Sequence, residues 1–410
     1  MSSSGSVRPF ANLGLAFLYQ NAAIGFTFGC IGLLIEPLST EFGASRSTLS
    51  LSIGSISLIF GLMGPVVGAL LDRWSIRMTM MMGCVLSSLG YYFASIADSA
   101  VSFLVPYALL VGAGFTFMGV LPATKIASLW FPGVGRATGI VNVPLLNALG
   151  PPLFSMVLVA AGWRDLLNIF AIIMVGLFFI CFLVTVPAAS EDEIAVLEKD
   201  KASADTASEG AQENVTSAII DQSVFRDFGF WVISLAKGLL MSSGIVAVTH
   251  IVSHAIDIGI DRVQASIILS SFGVASVLGA LLFGWLCDRY SAVRVMQLNG
   301  LAQLILWLIV QNQADYVSLV ILLAGMGLCT GGVSVISLTI LSRYFPISQF
   351  GAASGSMMML MIPFTFIAAP VAGALFDHLG NYTIAFGLQA ALCLASILLL
   401  IMFRSSLKGL

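Results

Sequence analysis

The stretches Gly68-Ala-Leu-Leu-Asp72-Arg73 and Gly284-Trp-Leu-Cys-Asp288-Arg289 decide the fold of this chain. They share a glycine, a leucine and an Asp-Arg pair at the same spacing, and they lie about 215 residues apart. Each follows a long apolar segment and precedes a further arginine. A motif that recurs at such an interval, with similar neighbours, indicates that the chain consists of two related halves.

Further landmarks repeat in the same order along both halves. The first set is Gly112, Gly114, Gly119, Trp130-Phe131-Pro132 and Gly139, and the second set is Gly325, Gly327, Gly332, Tyr344-Phe345-Pro346 and Gly355. One such match would be weak, but matched landmarks in one order are strong support for a duplication.

The composition predicts a protein that crosses a membrane many times. The chain has 410 residues, of which 59% are hydrophobic and 9% are charged. A soluble domain carries roughly 25% charged residues. There is no basic stripe of the kind that binds nucleic acid. The six cysteines lack metal spacing, and no phosphate-binding glycine loop occurs, so we expect no metal, no cofactor, no ATP-driven pump and no enzyme.

Twelve segments are long and apolar enough to span a bilayer, since a core about 30 Å thick needs roughly 20 residues per helix. The predicted spans are 12–36, 47–71, 78–97, 101–128, 137–161, 165–187, 228–252, 263–287, 293–311, 316–341, 351–375 and 382–403. The stretch 188–226 is rich in Asp and Glu and reads as a cytoplasmic acidic linker. It separates an N-terminal bundle, 1–187, from a C-terminal bundle, 227–410.

Basic residues set the predicted orientation. With the N-terminus inside, only Arg46, Arg164 and Arg262 fall in outer segments, against twelve basic residues in cytoplasmic ones. The positive-inside rule therefore predicts that both termini are cytoplasmic. We expect the inner (plasma) membrane, a monomer surrounded by lipid, and no nucleic-acid partner.

The paired G-x-L-x-D-R stretches resemble the signature of the major facilitator superfamily. The resemblance implies an all-α membrane protein with twelve transmembrane helices in two pseudo-symmetric six-helix bundles. Several shorter stretches are similar to the monocarboxylate transporter and oxalate/formate antiporter branch: Gly25-Phe-Thr-Phe-Gly29, Glu41-Phe-Gly-Ala-Ser-Arg46, Pro122 to Phe131, Gly162-Trp163-Arg164 and Ala369-Pro370-Val-Ala-Gly373 with Asp377.

The same resemblance implies that the repeated loops latch the two halves together. The latch residues would be Gly68, Asp72, Arg73, Arg77, Gly284, Asp288 and Arg289. Asp72 would oppose the start of the eleventh span, near Gly351 to Gly355, where a carboxylate can face a positive helix end. The alternative is that these charges only set the topology.

Ionisable groups inside the spans are candidates for substrate contact, because each costs roughly 2.5–3.5 kcal/mol to insert. Lys237 lies near the middle of the seventh span and could hold an anion. Lys125 is closer to a helix end and could snorkel to the interface. The other predicted substrate residues are Asn21, Asn142, Asn147, His250 and Thr330. Helix–helix hydrogen bonds are the alternative for the uncharged ones, and a proton-sensitive gate is a further option for His250.

Charged residues that the branch uses are absent. By resemblance, a lysine would stand in the first span and an Asp/Arg pair in the eighth, but those places hold Gly32, Ser276 and Ala280. Lys237 could replace them.

The predicted function is secondary active transport of a small organic anion by alternating access. A carboxylate, with or without an aromatic body, would move in symport with protons or by exchange. The alternative is efflux of hydrophobic compounds, since Gly150-Pro151 is similar to an antiporter motif. A non-transporting sensor is disfavoured because the tail after Phe403 is short.

Overall fold

The computed structural model describes residues 7–73, 75–130, 141, 143–183, 222–313, 315–345 and 347–403. Long helices follow one another through nearly all of these residues. They are α1 (Val7–Phe42), α2 (Arg46–Arg73), α3 (Ile76–Ser95), α4 (Ala100 to Trp130, interrupted), α5 and α6 (together Leu145–Leu183), α7 (Phe228–Asp257), α8 (Arg262–Arg289), α9 (Ala292–Val310), α10 (Tyr316–Tyr344), α11 (Ile347–Leu379) and α12 (Thr383–Met402).

The continuous stretch Leu145–Leu183 is a helical hairpin, not one helix. Gly162 has non-helical angles (φ 86°, ψ 173°), which a glycine adopts without a Cβ penalty. The rings of Phe154 and Phe170 are 5.1 Å apart, although sixteen residues of straight helix would separate them by about 24 Å. The chain therefore folds back at Gly162, and α5 (145–161) packs against α6 (163–183).

Ten helices in the described part of the chain are long and apolar enough to cross a membrane. The hairpin at Gly162 divides one of them into two, and α3 adds another helix of 20 residues. The described residues therefore contain twelve long helices. Several observed helices extend beyond the predicted spans; α11, for example, begins at Ile347 and not at 351. Of the predicted linker 188–226, the described residues 222–226 form a short helix, Gln222–Arg226.

Polar residues start many of these helices. Asp227, Asp261 and Asp315 accept backbone N–H groups at the beginnings of α7, α8 and α10. Ser99 forms a capping box with Ser102 at the start of α4. Each such bond satisfies an orphan donor of the first turn.

The fourth helix is not regular. Its segments are Ala100–Pro106, a π-helical stretch Tyr107–Val111, Gly112–Met118 and Val120–Trp130. The interruption at Gly119 has φ −86° and ψ −130°. Irregular turns inside a membrane helix are tolerated where protein or a cavity covers them, and they often mark functional sites.

The two halves meet along a seam formed by three helix pairs: α1 with α7, α2 with α11, and α5 with α8. We call the end of the bundle that carries residues 43–45, 258–261 and 380–382 the Arg46 end. The opposite end, which carries residues 75 and 290–291, is the Asp72 end.

The halves are in close contact towards the Arg46 end. A Cβ on Gly32 of α1 would overlap the carbonyl of Val248 in α7, and a Cβ on Gly373 of α11 would lie 2.6 Å from the Ser47 nitrogen in α2. A Cβ on Gly64 or on Gly68 of α2 would meet no described heavy atom within 4 Å, apart from the backbone of its own helix. Gly54 and Gly61 of α2 also lie against α11, at Phe366 and Ile362, so among the described residues this contact runs from the Arg46 end to the middle of α2.

Candidate functional site

Lys237 lies in the interior of α7 and is 5% exposed. Among the described residues, no carboxylate forms an ion pair with it. One turn earlier on α7, the Ser234 hydroxyl is buried and lacks a hydrogen-bond partner in the described structure. Phe364 of α11 packs against Gly238, the next residue after Lys237. A cation with a hydroxyl and an aromatic wall beside it suits an anion that has an apolar body.

Thr330 of α10 contacts α7, the helix that carries Lys237. Its side chain packs against Gly244, seven residues beyond Lys237 on α7, which corresponds to about 10 Å along the helix. The Thr330 Oγ1 is buried without a partner among the described groups. Thr330 therefore contacts α7 about two turns from Lys237, towards the Arg46 end.

The three predicted asparagines have different surroundings. The Asn21 Nδ2 donates to the carbonyls of Phe17 (3.0 Å) and Val143 (3.1 Å), and its Oδ1 accepts the Leu146 N–H (2.9 Å). Both ends of this amide are thus engaged in joining α1 to the start of α5. Asn142 lies outside the described residues. The Asn147 Oδ1 is buried near Gly29 and has no partner in the described part of the chain.

His250 does not lie with Lys237. Thirteen residues of α7 separate them, about 20 Å along the helix. His250 is fully buried, and its Nε2 is 2.8 Å from the Ala369 carbonyl while its Nδ1 is 3.1 Å from the Tyr382 hydroxyl. Because a carbonyl can only accept, Nε2 carries the proton and Nδ1 accepts from Tyr382. The structure thus places this predicted substrate residue in a buried network at the Arg46 end.

Gln20 is a candidate that sequence reasoning missed. It is 1% exposed, and both its Nε2 and Oε1 lack partners among the described residues. Its Oε1 faces Gly119, where α4 is interrupted. Counted from the crossing of Gly32 and Val248, Gln20 lies twelve residues along α1 and Lys237 eleven along α7, so the two share one depth. The sequence did contain a sign of this candidate, because Gln20 is a polar residue well inside the first predicted span.

The predicted latch residues are only partly described. The side chains of Asp72 and Arg73 and those near Gly351 to Gly355 that would oppose them lie outside the described residues, apart from Ala353 and Ser354. Arg77 donates to the Phe182 carbonyl, the penultimate residue of α6, and its guanidinium is 5.2 Å from the Phe182 ring.

The second copy of the loop is exposed. Asp288 and Arg289 lie at the surface, and the Arg289 guanidinium stacks on Trp285 at 4.3 Å. A Cβ on Gly284 would make only an ordinary contact, 3.6 Å from Val335. An engaged latch at this position is not visible in the described residues.

A repeated cation sits beside both loops. The Lys125 Nζ of α4 donates to the Leu71 carbonyl (2.6 Å), just before Asp72. Arg343 of α10 donates to the Cys287 carbonyl (2.8 Å), just before Asp288. Lys125 therefore binds the carboxyl end of α2 through this contact, which the prediction of a snorkelling side chain did not include.

The Arg46 end holds a charged cluster whose pairing sequence analysis did not predict. The Arg46 guanidinium forms two hydrogen bonds to Asp257 (2.6 and 2.7 Å) and one to the Tyr382 hydroxyl (3.0 Å). It also lies 4.0 Å from the centre of the Phe376 ring. Asp377 accepts the backbone N–H groups of Arg46 and Ser47, both at 3.0 Å.

Comparison with known proteins agrees with the duplicated helical fold. A family model described as Major Facilitator Superfamily matches residues 18–254 and, a second time, residues 224–408. Monocarboxylate transporter 4 of Gallus gallus is 24% identical over 399 residues, covering 93% of this chain and 81% of the relative. Monocarboxylate transporter 13 of Bos taurus is 25% identical over 389 residues, covering 93% of this chain and 86% of the relative.

Two solved structures share the fold. The crystal structure of a D-xylose–proton symporter has a TM-score of 0.73 at 15% identity, covering 98% of this chain and 99% of that one. A bacterial homologue of the human lysosomal transporter Spinster, in an inward-facing and unoccupied conformation, also has a TM-score of 0.73, at 14% identity, covering 98% of this chain and 96% of that one.

Proposed function

The chain belongs to the Major Facilitator Superfamily, and on that premise we propose that it is a secondary active transporter that moves a small organic anion by alternating access. The family match and the curated relatives, which are named monocarboxylate transporters, confirm the resemblance seen in the paired motifs. A carboxylate is the proposed substrate class, carried with protons or by exchange.

Lys237 is the observation that carries the proposal. A buried ammonium without a carboxylate partner among the described residues is costly unless an anion reaches it. The hydroxyl of Ser234 and the amide of Gln20, which lack partners among the described residues, add hydrogen-bonding capacity at a similar depth. Phe364 contributes an apolar wall, which favours a substrate with a hydrocarbon or aromatic body.

We further propose that the protein lies in the plasma membrane with both termini in the cytoplasm, as the distribution of basic residues indicates. The Arg46 end then faces outward and the Asp72 end faces the cytoplasm. With the halves in contact at the Arg46 end, the present conformation is closed at the end that we propose faces outward.

The test is ligand-dependent thermal stabilisation of the purified protein, because a ligand stabilises only the state it binds. Pyruvate and benzoate are suitable probes for a short and an aromatic carboxylate. We expect at least one of them to raise the midpoint of unfolding, and we expect Lys237→Met, which keeps the length of the side chain without its charge, to abolish the shift. Lys237→Arg should keep a weakened shift, since a planar fork fits a point-charge site poorly.

The matched control is Arg164→Ala, which removes a cation at the Arg46 end, far from Lys237, and should leave the ligand-dependent shift intact. A Lys237→Met variant that binds and transports carboxylates normally would remove Lys237 from the site. Efflux of hydrophobic compounds, which needs no central cation, would then be the better function, and stabilisation by uncharged hydrophobic compounds would support it.

A further inference from the structure

Two ion pairs cross the seam between the halves at the Arg46 end. Arg46, the first residue of α2, belongs to the N-terminal half, and Asp257, the last residue of α7, belongs to the C-terminal half. Arg262, the first residue of α8, belongs to the C-terminal half, and its guanidinium pairs with Glu36 of α1. The paired side chains are 11% and 31% exposed in the first pair, and 24% and 27% in the second.

These two pairs are related by the duplication of the chain. Arg46 and Arg262 are separated by the same number of residues as Asp72 and Asp288. Each arginine begins the second helix of its own half, and each binds an acid near the end of the first helix of the other half. Each half therefore provides one arginine and one acid to the contact, as the two partners of a pseudo-twofold contact do.

The Arg46 pair is braced by other groups on the C-terminal half. Asp377 of α11 accepts the first N–H groups of α2, where a carboxylate is favoured by the positive helix end. Tyr382 accepts from Arg46 and donates to His250, which in turn donates to the Ala369 carbonyl. The Ser47 hydroxyl donates to the Pro370 carbonyl (3.0 Å). All the bonds from Arg46 and Ser47 in this set would break if the Arg46 end opened.

A third ion pair at the same end offers a contrast. Arg164 of α6 pairs with Glu41 of α1, and both residues lie in the N-terminal half. Its side chains are more exposed, at 43% and 40%. This pair can stay intact when the halves separate.

We infer that the Arg46–Asp257 and Arg262–Glu36 pairs form a reciprocal lock that holds the Arg46 end closed and sets the equilibrium between the two facing states. Opening that end strips each charge of its partner, which costs more for partly buried pairs than for exposed ones. The stability of the two pairs therefore sets how often the ligand-free protein opens at that end. The inference rests on the alternating access of the proposed function but not on the identity of the substrate.

The test measures the distance between spin labels on the two halves without any ligand. Labels at Ile96→Cys and Asn312→Cys occupy exposed connections at the Arg46 end of each half, and the six native cysteines are buried. We expect the labelled protein with both ion pairs intact to show mainly a short distance between the two labels. Arg262→Glu, Glu36→Arg and the isosteric Asp257→Asn should each raise the ratio of long to short distances about tenfold, equivalent to about 1.4 kcal/mol.

Rescue distinguishes a lock from general damage. The double variant Arg262→Glu with Glu36→Arg restores an ion pair of reversed polarity and should return the distance distribution towards that of the parent protein. Arg164→Glu, the control within one half, should leave it unchanged. The inference is overturned if all three single variants keep the parental distances, if Arg164→Glu shifts them equally, or if the double variant is no closer to the parent than its singles. Failure of carboxylate binding would leave this result standing, so the two proposals fail separately.

Discussion

Gln20 is a side chain that lowers the stability of the fold while remaining available for a role in transport. Its amide is buried, and neither polar atom has a partner in the described part of the chain. A buried polar group without a partner costs about 1–3 kcal/mol. Such a cost is tolerable where a substrate or an ordered water satisfies the group during the transport cycle. The position of Gln20, against the interruption of α4 and at the depth of Lys237, is consistent with that role.

We expect Gln20→Leu to raise the thermal stability of the protein and to weaken its transport. The leucine removes two polar atoms that lack partners among the described residues while roughly preserving volume, so the unfolding midpoint should rise by a few degrees. If Gln20 contacts the proposed anion, that anion loses a hydrogen-bonding partner, and uptake should fall several-fold. Thermal unfolding and uptake into vesicles measure the two effects.

The control for this change is Gln303→Leu in α9. Gln303 is also buried, and its Oε1 likewise lacks a partner among the described residues, but its Nε2 donates to the Asn299 Oδ1 at 2.8 Å. Gln303→Leu leaves that oxygen without its donor and should destabilise the protein relative to Gln20→Leu. If Gln20→Leu lowers stability as Gln303→Leu does, Gln20 has a structural partner and the proposed role is wrong.

At the scale of elements, close packing of α8 against α10 is the strongest constraint in the C-terminal half. A Cβ on Gly279 would overlap the backbone carbonyl of Leu328, and one on Gly327 would overlap that of Phe272. Backbone atoms cannot move aside as a flexible side chain can. Without a hydrophobic force between helices in lipid, contacts of this kind carry much of the association.

Two glycine substitutions should therefore have opposite effects. Gly279→Ala forces α8 away from α10, and we expect a loss of about 1–3 kcal/mol, as for other overpacked sites. At Gly64 an added Cβ would meet no described atom within 4 Å apart from its own helix backbone, so Gly64→Ala should be neutral or stabilise by up to about 1 kcal/mol. Midpoints of thermal unfolding under identical conditions compare them. Equal destabilisation by both would contradict the helix contacts described above.

At the scale of the whole molecule, the ion pairs explain the three basic residues predicted to lie outside. Arg46, Arg164 and Arg262 each bind an acid, whereas positive charges on that side of a membrane protein are otherwise uncommon. The paired acid neutralises the positive charge, which the positive-inside rule disfavours on the outer side. Two of the three pairs also join the halves, so the exceptions to the positive-inside pattern coincide with the proposed lock.

The orientation itself is open to a direct test. Single cysteines introduced in the acidic linker, between 195 and 215, should react with an impermeant reagent only from the cytoplasmic side, because the N-terminus and the linker are predicted to lie on the same side. Cysteines at 98–100, next to the start of α4, should react only from the outside. Labelling of both sets from one side would refute the twelve-span orientation.

The amino-acid sequence by itself determined the membrane location, the duplication and the landmarks that mark each half. These properties depend on local patterns: apolar runs of bilayer length, charges at helix ends, and glycines at fixed spacing. The central position of Lys237 also follows from its place within one helix. Whether His250 and Asn21 lie beside Lys237 does not follow from the position of each residue along the chain. A linear pattern does not specify which helices face one another or how deep each residue lies in the bundle.

Only the tertiary structure decided the partners of those residues. Arg46 and Asp257 are 211 residues apart, and Arg262 and Glu36 are 226 apart. Such pairs form when the docking of two six-helix halves brings the ends of α2 and α7, and of α8 and α1, to the same place. The sequence shows the interval between Arg46 and Arg262, but it does not show which acids these arginines bind. The packing of the two halves decides that, because charge pairing acts over a few ångströms of space and not along the chain.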